Sequence, residues 1–220
     1  MPQFGGADAP RESGSSRQRR QKVTALLPGE RADESMYEVE VKVRADHETL
    51  RERLESVAAE QVNRVAQTDT YYDAPHKDFA ATDEALRLRR ESRYEGDEVV
   101  AKTTVVTYKG PLVDESSKTR REYETGVEDG ETMDAICEAV GFEPAATVEK
   151  ERERFELDGY TVSLDAVSGL GEFVEVEIEV ESGVDAAREG AFDVLRTLGV
   201  EPDDQIRTSY LGLLLGASEE

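Results

Sequence analysis

Residues 37 to 43 read Tyr-Glu-Val-Glu-Val-Lys-Val, a strict alternation of charged and uncharged side chains. Successive side chains of a β-strand point to opposite faces, so the run predicts a strand with Val39, Val41 and Val43 on one side and Glu38, Glu40 and Lys42 on the other. One such strand would suit any half-solvated sheet, but the design recurs. Glu175, Glu177 and Glu179 alternate with Val174, Val176, Ile178 and Val180; Arg87 and Arg89 alternate with Leu86 and Leu88; Lys118, Arg120, Glu122 and Glu124 share one parity. Several strands, each with a one-sided stripe of charge of both signs, predict a sheet closed around a charged interior.

The remaining periodicities place further elements. Asp46 is a candidate N-cap for a helix over 46 to 60, with Leu50, Leu54, Val57 and Ala58 as its apolar stripe. Strands are expected over 64–73, 85–90, 99–109 and 117–125, joined at Ala74-Pro75, Glu95-Gly96-Asp97 and Gly110-Pro111. A helix over 131–140 would turn Met133, Ile136, Cys137 and Val140 inward and stop at Gly141. Strands over 147–157 and 161–165 flank Asp158-Gly159, a hairpin signal, and another covers 172–180. Helices over 184–198 and 207–215 complete the chain. Two halves, 36–125 and 126–216, each hold a helix and a set of strands.

Residues 1 to 35 are rich in Gly, Ser, Pro and Arg and lack apolar periodicity, so they are expected to be a disordered tail, either untranslated with the natural start at Met36 or a real, flexible basic arm. The ordered domain is then 36–216, with a short tail over 217–220. No apolar run approaches the roughly 20 residues that span a bilayer, and Cys137 is the single cysteine. A cytoplasmic protein without disulfides or membrane contact is the expectation. Cys137 reads as a small core residue, His47 as a surface residue, and His47 with His76 are too few for zinc. The formal charge of −23, from 50 acidic and 27 basic residues, disfavours general nucleic-acid binding, and no nucleic-acid partner is expected. It predicts the acidic, solvated exterior of a halophile.

Charges inside a barrel are costly unless each is paired or bound to a ligand. The basic set is Lys42, Arg87, Arg89, Lys109, Arg120, Lys150 and Arg152; the acidic set is Glu38, Glu40, Glu122, Glu124, Asp165, Glu175 and Glu177. Carboxylates two residues apart on one strand face repel, and a hard divalent cation such as Mg²⁺ or Mn²⁺ relieves them. Rows of Arg and Lys suit a polyanion whose charge that ion also neutralises. The pair describes a chain of phosphates. No Walker pattern and no Gly-x-Gly-x-x-Gly follows a strand, so side chains would hold the phosphates.

Six elements in order carry a family resemblance: Glu38-x-Glu40-x-Lys42; residues 67–73, Gln-Thr-Asp-Thr-Tyr-Tyr-Asp; Leu86-Arg87-Leu88-Arg89; Thr107-Tyr108-Lys109-Gly110-Pro111; Lys150-x-Arg152; and Leu164-Asp165 leading into Glu175-Val176-Glu177. Together they resemble the CYTH superfamily of triphosphate tunnel metalloenzymes, which unites class IV adenylate cyclases with thiamine and inorganic triphosphatases. The resemblance implies an α+β architecture: a closed antiparallel eight-stranded β-barrel, or tunnel, with helices packed outside. It implies Glu38, Glu40, Asp165, Glu175 and Glu177 as ligands of Mg²⁺ or Mn²⁺. It implies Lys42, Arg87, Arg89, Lys109, Arg120, Lys150 and Arg152 as the triphosphate grip, with Lys42 and Lys109 in catalysis. Glu122 and Glu124 would pair with these bases or hold a second metal. The segment between Arg90 and Thr107 is longer and more polar than the family's usual hairpin, which affects the alignment of Lys102.

The class IV cyclase branch is the nearest likeness, so ATP conversion to 3′,5′-cyclic AMP and pyrophosphate is the first expectation. Hydrolysis of thiamine triphosphate or tripolyphosphate is the alternative, and a non-catalytic module that binds polyphosphate or nucleotide is a third. The partner is in each case a small-molecule triphosphate, and homodimers are common in the family.

Overall fold

The computed structural model describes residues 37–114 and 118–217. The expected tail over 1–35 and residues 218–220 lie outside the described residues. Eight strands follow in order: β1 (Tyr37–Arg44), β2 (Glu60–Asp73), β3 (Ala85–Glu95), β4 (Glu98–Asp114), β5 (Lys118–Val127), β6 (Glu143–Leu157), β7 (Tyr160–Val167) and β8 (Gly171–Val180). Among the described residues three helices fall between them, α1 (His47–Ser56), α2 (Phe79–Thr82) and α3 (Gly130–Ala139), and two follow β8, α4 (Val184–Thr197) and α5 (Tyr210–Ala217). The strands close into an antiparallel barrel in the order β1-β5-β4-β3-β2-β6-β7-β8, as the alternation requires. No described helix is long and apolar enough to cross a membrane.

The principal apolar core lies outside the barrel wall. Val41, Val43, Val162, Leu164, Val174 and Val176 meet Leu50 and Leu54 of α1 and Ala191, Val194 and Leu195 of α4. Full burial of such side chains contributes roughly 1.5–3 kcal/mol each for Val or Leu. This outer layer frees the inner face of β1 and β8 to carry charge. A second cluster, Val148, Val167 and Phe173, shares strand parity with Lys150, Asp165 and Glu175, and Tyr210 of α5 packs on it. The last helix therefore abuts the tunnel lining itself.

Local chemistry explains the joints. Asp158 and Gly159 take left-handed φ values of 52° and 82°, the geometry of a tight hairpin, and set the β6–β7 register with Leu157 opposite Tyr160. Asp46 caps α1 by accepting from the Thr49 amide at 2.8 Å.

Several expectations are corrected. α1 stops at Ser56, because Ala58 adopts φ 56° and the Ala59 amide bonds back to the Leu54 carbonyl at 3.0 Å. Ala58 is thus exposed and not part of the stripe. Gly110-Pro111 does not end a strand: β4 runs through it, with irregular register between Lys109 and Leu112. Ile136 and Val140 are exposed, because α3 touches the wall along a narrow edge formed by Met133, Asp134 and Cys137. Cys137 is buried, as expected. His47 is buried, not superficial: its ring meets the Phe173 carbonyl at 3.0 Å, and its amide donates to Glu172. Lys102 lies exposed opposite Ser92 on the β3–β4 hairpin. The final helix begins at Tyr210, and α2 and a 3-10 turn at Pro202–Asp204 were not expected.

Candidate active site

The inner face of the barrel follows directly from strand register. Lys42 on β1 stands opposite Glu175 on β8, Glu38 opposite Arg120 on β5, and Lys109 on β4 opposite Glu122 on β5. Asp69 on β2 faces Arg89 on β3, and Arg152 on β6 faces Asp165 on β7. Opposite charges across a ladder are favourable. The exceptions are acidic: Glu40 faces Glu177 and Glu38 faces Glu179.

These groups surround one cavity of about 1480 Å³, whose lining includes all seven expected cations together with Glu38, Glu40, Glu175 and Glu177. Carboxylate oxygens of Glu38, Glu40 and Glu177 lie within 4.8 Å of one another. Octahedral Mg²⁺ takes oxygens at about 2.0–2.1 Å, so trans ligands are roughly 4.2 Å apart, and small side-chain rotations would close these three on one ion. Glu177 makes no hydrogen bond or ion pair among the described residues. Burial, with Glu38, Glu175 and Glu40 adding to it against the pull of Arg152, pushes its carboxyl up to about 7. An all-oxygen set of three carboxylates this close together fits a hard divalent cation.

Asp165 and Glu175 do not join that cluster. Asp165 is fully buried, accepts from Arg152 at 2.6 and 2.5 Å and from Lys150 at 2.8 Å, and does not border the cavity. Burial opposes its ionisation, but Arg152 and Lys150 hold it far below the carboxylate range. Glu175 accepts from Arg152 and lies 3.7 Å from the Lys42 ammonium. Asp165 is thus already paired with two cations in the ligand-free protein.

The cationic residues divide by how firmly they are held. Arg89 forms two 2.7 Å bonds to Asp69, a fork that fixes its plane. Arg152 is fixed by Asp165 in the same manner. Arg120 is anchored by the Asp83 carboxylate at 2.8 Å. Arg87 reaches Thr107 at 3.2 Å and Asp69 only at 3.6 Å, and its buried Nε has no partner among the described residues. Lys42 sits 3.7 Å from both Glu40 and Glu175. Lys109 contacts Glu122 and, at 3.3 Å, Glu38. Burial and the Glu38 charge push Glu122 up to about 8. Burial also works against ionised Glu38, but Lys109, Glu122 and Arg87 outweigh it and hold Glu38 low. Burial and Arg152 draw the Lys150 ammonium down to about 8 in spite of Asp165.

Sequence reasoning missed three contributors. Asp69 lies within the expected strand on the parity of Gln67, so period-2 reading could have placed it inside. Asp83 carries the left-handed cap after α2, at φ 51°, and gave no periodic signal. Tyr210 reaches the lining from a helix, beyond the reach of strand parity.

Comparison with known proteins gives a consistent picture. The CYTH domain family model matches residues 36–210. A Methanocaldococcus jannaschii protein named "Putative adenylate cyclase" is 36% identical over 181 residues, covering 81% of this chain and 98% of its own. A solved Pyrococcus horikoshii protein, 36% identical, superposes with a TM-score of 0.75 over 82% of this chain and 99% of that one. A Hippeastrum protein with a dominant triphosphatase activity is 14% identical, covering 84% of this chain and 96% of its own, and its TM-score of 0.58 is a likeness of fold.

Proposed function

Because this chain belongs to the CYTH domain family, we propose that it is a metal-dependent enzyme acting on a triphosphate, and that its reaction is conversion of ATP to 3′,5′-cyclic AMP and pyrophosphate. The observation that carries this reading is the Glu38, Glu40 and Glu177 cluster facing a cationic wall within one cavity. The name of the 36% identical M. jannaschii relative supports the choice of cyclisation.

Glu38, Glu40 and Glu177 would hold Mg²⁺ or Mn²⁺, which when bound neutralises phosphoryl charge and orients the leaving pyrophosphate. Lys42, Arg87 and Lys109, none of them held by a forked carboxylate bond, take phosphate oxygens. Arg89, Arg120, Lys150 and Arg152 supply fixed positive potential from the wall, preorganised by Asp69, Asp83 and Asp165. Lys42 and Lys109 flank the carboxylate cluster and are the residues assigned to catalysis. Asp165 and Glu175 act as positioning residues for Lys150, Arg152 and Lys42.

Purified protein incubated separately with ATP, thiamine triphosphate and tripolyphosphate in Mg²⁺ or Mn²⁺ tests the proposal. Cyclic AMP and pyrophosphate from ATP are expected. Orthophosphate without cyclic AMP would replace cyclisation with hydrolysis; no product from any of the three would overturn the enzymatic reading.

A further inference from the structure

Tyr210 is the first residue of α5 and is only 7% exposed. Its ring packs against Phe173 with centroids 5.0 Å apart at 65°. The Lys42 ammonium lies 4.3 Å from the ring centroid and the Lys150 ammonium 5.0 Å. Both distances are within the range of cation–π attraction, about 6 Å. One aromatic ring therefore gathers two of the tunnel's ammonium groups.

The hydroxyl of this ring has no hydrogen-bond partner among the described residues, although the residue lines the cavity. A buried, unpaired hydroxyl is unfavourable for folding, and phenylalanine would keep every contact named above. The ligand-free fold thus gains nothing from the oxygen. Its surroundings indicate what would. Burial and the Glu175 and Asp165 charges keep the phenol protonated, hence a donor. An anionic oxygen is the natural acceptor beside Lys42 and Lys150.

We propose that Tyr210 is a substrate-binding residue whose hydroxyl donates a hydrogen bond to a phosphoryl oxygen of the bound triphosphate, while its ring holds the Lys42 and Lys150 ammonium groups toward the same phosphates. This rests on the triphosphate reading given above. It makes α5 part of the binding surface and not merely a cover.

Calorimetric titration of wild type, Tyr210→Phe and Tyr210→Leu with tripolyphosphate in magnesium buffer, alongside ligand-free melting curves, tests it. A hydrogen bond to a charged group is lost in Tyr210→Phe, so affinity should fall about tenfold. The ligand-free melting temperature should stay at or above that of wild type, since an unpaired group is removed. Tyr210→Leu, which also loses the ring face, should bind more weakly still. Equal affinity for wild type and Tyr210→Phe would overturn the inference, as would a clear drop in the ligand-free melting temperature of that variant, which would give the oxygen a structural partner. Wild type that binds no tripolyphosphate would overturn the triphosphate reading itself.

Discussion

Glu40 stands directly opposite Glu177 in the β1–β8 ladder, in a barrel whose other inner pairs mostly match acid with base. Two facing carboxylates raise the energy of the ligand-free protein, and a bound cation would reverse that. Glu177→Gln is therefore expected to raise ligand-free stability by about 1 kcal/mol, as removal of a like-charge pair does. The same change should weaken Mn²⁺ binding at least tenfold. Urea unfolding and electron paramagnetic resonance titration measure the two effects; unchanged Mn²⁺ affinity would exclude Glu177 as a ligand.

Asp165 lies beneath Lys150 and Arg152 with no exposure. Asp165→Asn leaves two buried cations short of a counter-charge, and loss of one partner of such a group costs about 3–5 kcal/mol. Chemical denaturation should show that loss in the absence of any metal. A change below 1 kcal/mol would show that the site relaxes by admitting water.

Glu84 accepts hydrogen bonds from Lys77, Thr82 and Tyr108, which hold its carboxyl down to about 2. A folded-state value below the unfolded value of about 4.3 means the unfolded chain takes up the proton first. The stabilisation is therefore complete above about pH 4.3 and is lost as pH falls toward 2. Wild type should be more stable than Glu84→Gln at neutral pH, with the gap closing across that interval in acid unfolding curves. A gap that persists at pH 2 would show the interaction to be independent of charge.

Ala58 holds a left-handed φ of 56° where the chain leaves α1. Glycine adopts this conformation freely, so Ala58→Gly should stabilise the protein by about 1 kcal/mol. A lower melting temperature for this variant would mean that the unfolded-state entropy of glycine outweighs the relieved strain.

The acidic surface makes its own prediction. With a formal charge of −23, self-repulsion should weaken as salt screens it, and the unfolding midpoint should rise across a potassium chloride series. A flat response would remove the halophilic reading.

Strand parity made most of the barrel legible, because a period of two leaves no freedom over which face Glu38, Glu40, Lys42, Arg87 and Arg89 share. It could not separate Asp165 from Glu177. Both lie on the inner face, and only the register against β6 puts Asp165 opposite Arg152 while Glu177 faces another carboxylate. His47 was misread for a related reason: a polar residue in a first helical turn is buried only because Phe173 supplies a carbonyl from 126 residues away. The end of α1 was hidden because alanine occupies the turn where glycine would have marked it. Tyr210 belongs to no repeat at all, so its place in the tunnel wall emerged only from tertiary packing.

The Ile206 amide bonds the Lys42 carbonyl at 2.7 Å, and Tyr210 lies under the Lys42 ammonium. The first strand of the domain and its last helix are thus fastened to each other at the place where the charged pocket is finished. A nascent chain still lacking residue 210 holds an incomplete cavity, so the pocket's lining is finished late in synthesis, with closure of the whole barrel rather than with any one of its parts.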